Sequence, residues 1–309
     1  SCVSSLTAFW AWCCSMGRYR LAVVGAGAAG LLAACQAARR LGPGAVALLE
    51  GTPKPGKKLL ATGNGRCNLT NLHIAPDRYH GDVGLAQGLL AAYPARRVIE
   101  AFGGLGLRTW VDGEGRVYPR SLQAAAVLQA LWGGCEEQGI SFFMGSPVEG
   151  ITSCRGGFLL ALPGGRDLWA EKCLLACGGV AAPKHGCGAG GYGLAKGLGH
   201  TVTPLRPGLA PLVCPKKLTA PLKGMRCKAR ASLRAGGRVV YSESGEVIFG
   251  EGGLSGICIF NLSLRLEGAG EVALDLVEDM GREELLAYFR RLQSQRPGLP
   301  ARDIFSGLV

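Results

Sequence analysis

Between Lys172 and Ser242 the sequence has no aspartate or glutamate, yet it carries Lys172, Lys184, Lys196, Arg206, Lys216, Lys217, Lys223, Arg226, Lys228, Arg230, Arg234 and Arg238. Those cations alone match the net charge of the whole chain, +12. A field of one sign favours anionic partners, whether a phosphate-bearing cofactor, an acidic substrate or nucleic acid; a solvated basic face has the same composition. Interleaved aromatics of the kind that stack on bases are missing from the stretch, which holds only Tyr192 and Tyr241. Also missing is any CxxC pair: the 13 cysteines are scattered, and Cys173 to Cys177 is one spacing too long. That excludes zinc knuckles and thioredoxin-type sites and suggests reduced, buried thiols in a cytoplasmic protein. The 4 histidines, His73, His80, His185 and His200, are isolated, so neither a metal site nor a Ser/His/Asp arrangement is expected. No apolar run approaches the roughly 18 residues of a membrane-spanning helix. The apolar stretch Cys2 to Cys14 lacks the basic leader of an export signal, and Met16 is the expected natural start, with residues 1–19 an extension ahead of the fold. N-terminal sequencing of the native protein tests that start.

What remains is a globular composition, 48% hydrophobic and 18% charged over 309 residues, enough for two domains. Arg20 to Val24 reads as a short buried strand, followed at once by Gly25, Gly27 and Gly30 and by a helix-forming run from Ala28 to Leu41. In a strand, GxGxxG turn and helix, the first glycine allows the tight turn. The second admits a pyrophosphate, and the third lets helix and strand pack closely. Ala28 and Ala29 then open the helix whose N–H groups and dipole face the phosphates. Ala45 to Leu49 reads as the second parallel strand. It ends at Glu50, twenty residues after Gly30, where a carboxylate accepts hydrogen bonds from ribose hydroxyls. A second match at Gly188, Gly190 and Gly193 follows no strand and has no such acid, and is set aside.

The segment Gly51 to Asn71 is glycine-rich, basic and polar, and lies beyond the second strand's carboxyl end, where open α/β sheets bind ligands. Lys57 and Lys58 suit a pyrophosphate. Thr62, Gly63, Asn64 and Gly65 suit close approach of a planar ring, with Arg66 and Asn68 for its polar edge and Cys67 as a redox or structural thiol. Further on, helices are expected over Glu100–Leu107 and Ser121–Gln138, a strand over Gly139–Val148, and a β-meander from Gly157 to Leu175. Prolines at 204, 207, 211, 215 and 221 punctuate a boundary, followed by strands Cys227–Leu233 and Arg238–Ser242 and a helix Glu283–Gln293.

The pieces VVGAGAAGLLAA, LLEGTPKPGKKLLATGNGRCNLTN, GRVYPRSLQAAAVLQAL, GHTVTPLRPGLAPLVC and FGEGGLSGICIFNLS resemble the YhiN-type, or BaiN-like, bacterial NAD(P)/FAD-dependent oxidoreductases. The resemblance implies FAD and an α/β fold. A Rossmann-like FAD-binding domain (parallel sheet plus β-meander, 20–203) would carry an inserted β-rich domain with helices (204–309). It also implies Val148 as a contact near the adenine and Ala176, Gly178 and Gly179 as a turn near the cofactor. Two departures stand out. Gly190 occupies a position where the family commonly has an acid, and no strand and helix returning to the first domain follow Asp275, so the chain is expected to be a fragment that binds FAD weakly. The implied chemistry is an oxidoreductase whose flavin draws electrons from a transiently visiting NAD(P)H and passes them to a small organic substrate. Tyr118 and Arg120 are substrate-side candidates, and no residue stands out as a catalytic acid. Action on RNA through the basic stretch, or no activity in a truncated remnant, are the alternatives. Oligomeric state is not legible.

Overall fold

The computed structural model describes residues 17–300 and Asp303, so the expectations about Met16 and the segment before it lie outside the described residues. The chain divides into two compact units, Ser1–Thr203 and Pro204–Val309. The first contains β1 (Gly17–Val24), α1 (Ala28–Leu41), β2 (Val46–Glu50), α2 (Lys57–Ala61), β3 (Thr70–Asn71), α3 (Val83–Ala92), α4 (Ala95–Gly103), β4 (Thr109–Val111), β5 (Arg116–Pro119), α5 (Ala124–Glu137), β6 (Ser141–Met144), β7 (Gly150–Cys154), β8 (Gly157–Ala161), β9 (Leu168–Leu175) and α6 (Gly190–Gly197). β1 starts three residues before the expected strand, because Gly17, Arg18 and Tyr19 pair with Leu168, Trp169 and Ala170 of β9.

The main sheet has the order β6-β2-β1-β9-β8-β7, with β1 parallel to both β2 and β9 and the meander strands antiparallel at one edge. β1 and β2 are covered on both faces, and this accounts for their unbroken apolar runs. Val23, Val46 and Leu48 face Leu31, Ala34 and Cys35 of α1 and Val127, Leu131 and Cys135 of α5. Ala22, Val24, Ala47 and Leu49 face the opposite way, towards Ile151, Leu160, Leu168 and Ala170. The expected helix at Glu100–Leu107 is instead Ala95–Gly103: Pro94 caps it and its backbone halts at Gly104. The strand expected to reach Val148 stops at Met144, and Gly145 turns the chain at φ +63°.

In the second unit, β10 (Leu212–Val213), α7 (Lys216–Thr219), β11 (Arg226–Ala235), β12 (Arg238–Gly250), β13 (Gly253–Ser255), α8 (Ile257–Ser263), β14 (Glu271–Asp275) and α9 (Arg282–Gln295) follow in order. Its antiparallel sheet, β10-β13-β12-β11-β14, alternates cleanly: Ala229, Ala231, Leu233 and Val247 pack on Cys258, Ile259 and Leu262 of α8. The outward side chains of β11 are the cations of the acid-free stretch, and folding supplies them with distant carboxylates. Arg226 meets Glu246 (3.5 Å), Arg230 meets Glu278 (3.2 Å) and Arg234 meets Glu271 (3.7 Å). Arg206 meets Glu267, and both Lys216 and Lys223 meet Glu251. Half of the cations that looked unopposed in the sequence thus sit in ion pairs, each partly exposed and contributing about 1 kcal/mol at most.

Every cysteine among the described residues is free, and Cys35, Cys67, Cys135 and Cys258 are buried while Cys154 is exposed. Burial, aided by the neighbouring Cys35 thiol, pushes Cys135 up to about 12. Iodoacetamide at pH 8 should therefore label Cys154 in the native chain and reach Cys35 and Cys135 only after unfolding, as peptide mass spectrometry would show; native labelling of that pair would contradict the packing. The folded state keeps the Cys135 proton at pH values where the unfolded state, titrating near 9.0, has lost it. That stabilisation is complete below pH 9 and is lost as pH rises towards 12. Among the described residues no helix is long and apolar enough to cross a membrane, and no group of three or more His, Cys, Asp or Glu is placed to hold a metal.

Candidate functional site

The turn between β1 and α1 sits where three strand ends converge. Gly25 N–H donates to Leu49 O (2.7 Å) and Ala176 N–H to Val24 O (2.8 Å), which fastens the turn to the ends of β2 and β9. Gly25 has φ +111°, and a Cβ there would lie 2.5 Å from Ala176 O. A Cβ on Gly30 would be driven into the Gly25 carbonyl oxygen, far inside van der Waals contact. Among the described residues, its chain neighbours apart, nothing lies within 4 Å of where a Gly27 Cβ would point. α1 has no side-chain cap at Gly27 and no acidic residue in its first turn, so its leading N–H groups and positive dipole end are left for a ligand beside Ala28 and Ala29.

Glu50 closes this turn. Its Oε2 accepts from Ala26 N–H and its Oε1 from Thr52 N–H, both at 2.9 Å. Two backbone donors fix the carboxylate, and each oxygen retains a further lone pair for a diol. Ser146 N–H donates to Glu50 O (2.9 Å) and Gly145 N–H to Thr52 O (3.1 Å). The Cβ position of Gly51 lies 3.5 Å from Pro147, which brings the chain leading to Val148 alongside the acidic end of β2. Gly56 N–H donates to Ala26 O (2.9 Å), tying the start of α2 to the same turn. Lys57 and Lys58 are exposed on α2, with no ion pair among the described residues.

The stretch Thr62–Arg66 is exposed and wound through left-handed backbone: Gly63 φ +55°, Asn64 φ +54° and Gly65 φ +81°. Asn64 and, beyond the stretch, Cys67 (φ +57°) hold this conformation without being glycine, at a cost on the order of 1 kcal/mol each; such strain gathers at ligand loops. The Cys67 thiol points away from solvent, 6% exposed in the core beneath α1, and burial raises its pKa. It is a packing thiol, and only its backbone is left for a ligand. Asn68 is exposed, and its N–H lies 2.9 Å from the Gly63 Cβ position. Gly178 (φ +74°) and Gly179 follow Ala176, and the Gly179 Cβ position is 2.9 Å from the Tyr192 hydroxyl on α6. Tyr118, expected on the substrate side, is 5% exposed, lies under the loop and carries the Arg66 guanidinium 5.3 Å from its ring centre. Arg120 donates its backbone N–H to Arg108 O (2.8 Å), and among the described residues its side chain makes no hydrogen bond or ion pair with these groups. Sequence reasoning missed the Ala26 and Thr52 amides, which leave no residue-type signature. It also missed the cation–π contact of Arg66 with Tyr118, which depends on β5 pairing with β4.

An open floor at Gly27, an uncapped helix start and a pinned carboxylate fit the pyrophosphate and ribose of FAD. Residues 19–281 match the family model described as HI0933-like protein Rossmann domain. The chain is 35% identical over 296 residues to the 3-dehydro-bile acid delta(4,6)-reductase of Clostridium scindens, covering 94% of this chain and 72% of that protein. It is 30% identical over 280 residues to the ribosomal RNA dihydrouridine synthase of Escherichia coli, covering 88% and 67%. Among solved structures, glycine oxidase from Geobacillus kaustophilus aligns over 94% of this chain and 80% of its own at 16% identity, with a TM-score of 0.39. The chain belongs to the HI0933-like family and is an FAD-dependent oxidoreductase of Rossmann-like fold.

Proposed function

We propose that the chain is a reductase that uses electrons from NAD(P)H to saturate a carbon–carbon double bond conjugated to a carbonyl in a small organic substrate. The observation carrying the cofactor side is the Glu50 carboxylate, held between the Ala26 and Thr52 amides at the mouth of the glycine turn. Glu50 takes the ribose hydroxyls, Gly25, Gly27, Ala28, Ala29 and Gly30 the pyrophosphate, and Lys57 and Lys58 its charge. Gly51 and Val148 flank the adenosine, while Thr62, Gly63, Asn64, Arg66, Asn68 and the Cys67 backbone face the ring, with Ala176, Gly178 and Gly179 closing the turn. FAD, when bound, supplies a ring that takes up two electrons with a hydride and passes them on. The bond class comes from chemistry: the names of both relatives describe reactions at a double bond conjugated to a carbonyl, a 3-oxo-4,6-diene in one and a uracil ring in the other. Polarisation by the carbonyl lets the far carbon accept hydride, and the carbon beside the carbonyl then takes a proton from solvent.

The test adds FAD and then NADPH or NADH anaerobically to the full chain. Bleaching of the flavin bands, followed by recovery on adding a steroid 4,6-dien-3-one, is the expected result; no bleaching with either nicotinamide would overturn the proposal. RNA is the second reading, favoured by the name of the Escherichia coli relative and weakened by the ion pairs that occupy half of the basic stretch. If RNA is the substrate, log K should fall steeply with log salt, by roughly 0.7 per phosphate contacted for a single strand. A cytoplasmic setting agrees with the free thiols.

A further inference from the structure

Arg66 has the geometry of a side chain held for a purpose. It is exposed, and among the described residues it faces no carboxylate. Among the described residues its side chain makes a single hydrogen bond, a long one from Nε to Gly63 O at 3.4 Å. An arginine so lightly held would sample many rotamers in water. What limits it is the Tyr118 ring, over which the guanidinium lies at 5.3 Å. Tyr118 itself is fixed. It is nearly fully buried, its strand partner Trp110 lies 6.3 Å away ring to ring, and its Cε1 is 3.7 Å from the Gly63 Cβ position. The same strand anchors the loop's far end, through Leu69 N–H to Val117 O at 2.8 Å. One buried ring thus supports both the left-handed backbone and the cation projecting from it. A ring face at this distance restricts where a guanidinium can lie and leaves its edge N–H groups free to donate.

We propose that Tyr118 is a positioning residue, setting the plane in which Arg66 presents its donors to the polar edge of the flavin ring. This rests on the reading that Arg66 meets that ring. FAD binding to the full chain, followed by flavin fluorescence and by the position of the flavin absorption bands, tests both. Arg66→Ala should weaken FAD and shift the bands towards those of free FAD. Tyr118→Leu should do the same by roughly two- to fivefold, the range for a cation over an exposed aromatic face. The double variant should bind no more weakly than Arg66→Ala alone, and Tyr118→Phe should bind as the parent does. Additive losses in the double variant, or unchanged binding in Tyr118→Leu, would overturn the positioning role while leaving Arg66 at the ring. Wild-type binding and spectrum in Arg66→Ala would instead remove the underlying reading. Should Tyr118→Leu fail to fold, Arg66→Lys at the surface decides. A charge without a plane should behave like Arg66→Ala, and parent-like binding would overturn the proposal.

Discussion

Gly27→Ala should leave the melting temperature of the cofactor-free chain within about 2 °C of the parent, while weakening FAD binding by about tenfold or more. Its neighbour should behave in the opposite way. Gly30→Ala is expected to lower the melting temperature by roughly 6 to 12 °C whether or not FAD is present. Helix propensity alone gives the wrong sign here, since alanine in a helix interior is favoured over glycine by about 1 kcal/mol. The added methyl at Gly30, however, meets the Gly25 carbonyl oxygen, a backbone atom with no rotamer to escape into. Forcing helix and turn apart costs about 3 kcal/mol, the upper part of the range for overpacking. At Gly27 the backbone is extended (φ −80°, ψ −175°) and open, so alanine fits the protein and obstructs only what would occupy that space. Calorimetry of both variants with and without FAD checks the pair. Equal stability losses at the two positions would contradict the assignment of distinct roles.

Glu50→Ala should lose both stability and cofactor. Removing the carboxylate strips partners from the Ala26 and Thr52 amides, each bonded at 2.9 Å in a half-buried setting. An unsatisfied donor of this kind costs about 1 to 3 kcal/mol, so a loss of roughly 2 to 4 kcal/mol is expected in chemical denaturation. FAD affinity should fall by about a hundredfold, the equivalent of two ribose hydrogen bonds to a charged acceptor. Glu50→Gln keeps one acceptor and turns an NH2 group towards an N–H donor, so it should fall between the parent and Glu50→Ala on both measures. FAD binding at parent strength in Glu50→Ala would remove this carboxylate from the site.

The sequence displayed β1, α1, β2 and Glu50 because each is marked locally: an apolar run, glycines at fixed offsets, and an acid at the end of the next strand. Elements lacking such marks were not legible. β3, β4 and β5 are too short to show alternation, and α3, VGLAQGLLAA, has neither charge nor a clear apolar face. Cys67 could be read as reactive or structural until its burial beneath α1 decided the matter. The basic stretch looked like a polyanion surface because its carboxylates lie elsewhere in the chain; Glu278 reaches Arg230 across 48 residues. Tyr118 was taken for a polar group because its hydroxyl is visible in the sequence and its burial is not.

β1 lies between β2 and β9, and the thiol of Cys177 reaches Val24 O across 153 residues. The wall against which Gly25 is pressed therefore does not exist while the ribosome has made only the first strands. Closing so long a loop carries an entropic cost that must be met before the pairing can reward it. The glycine turn is made early but is completed only when β9 pairs with β1, so cofactor capture must await the strand that ends at Leu175.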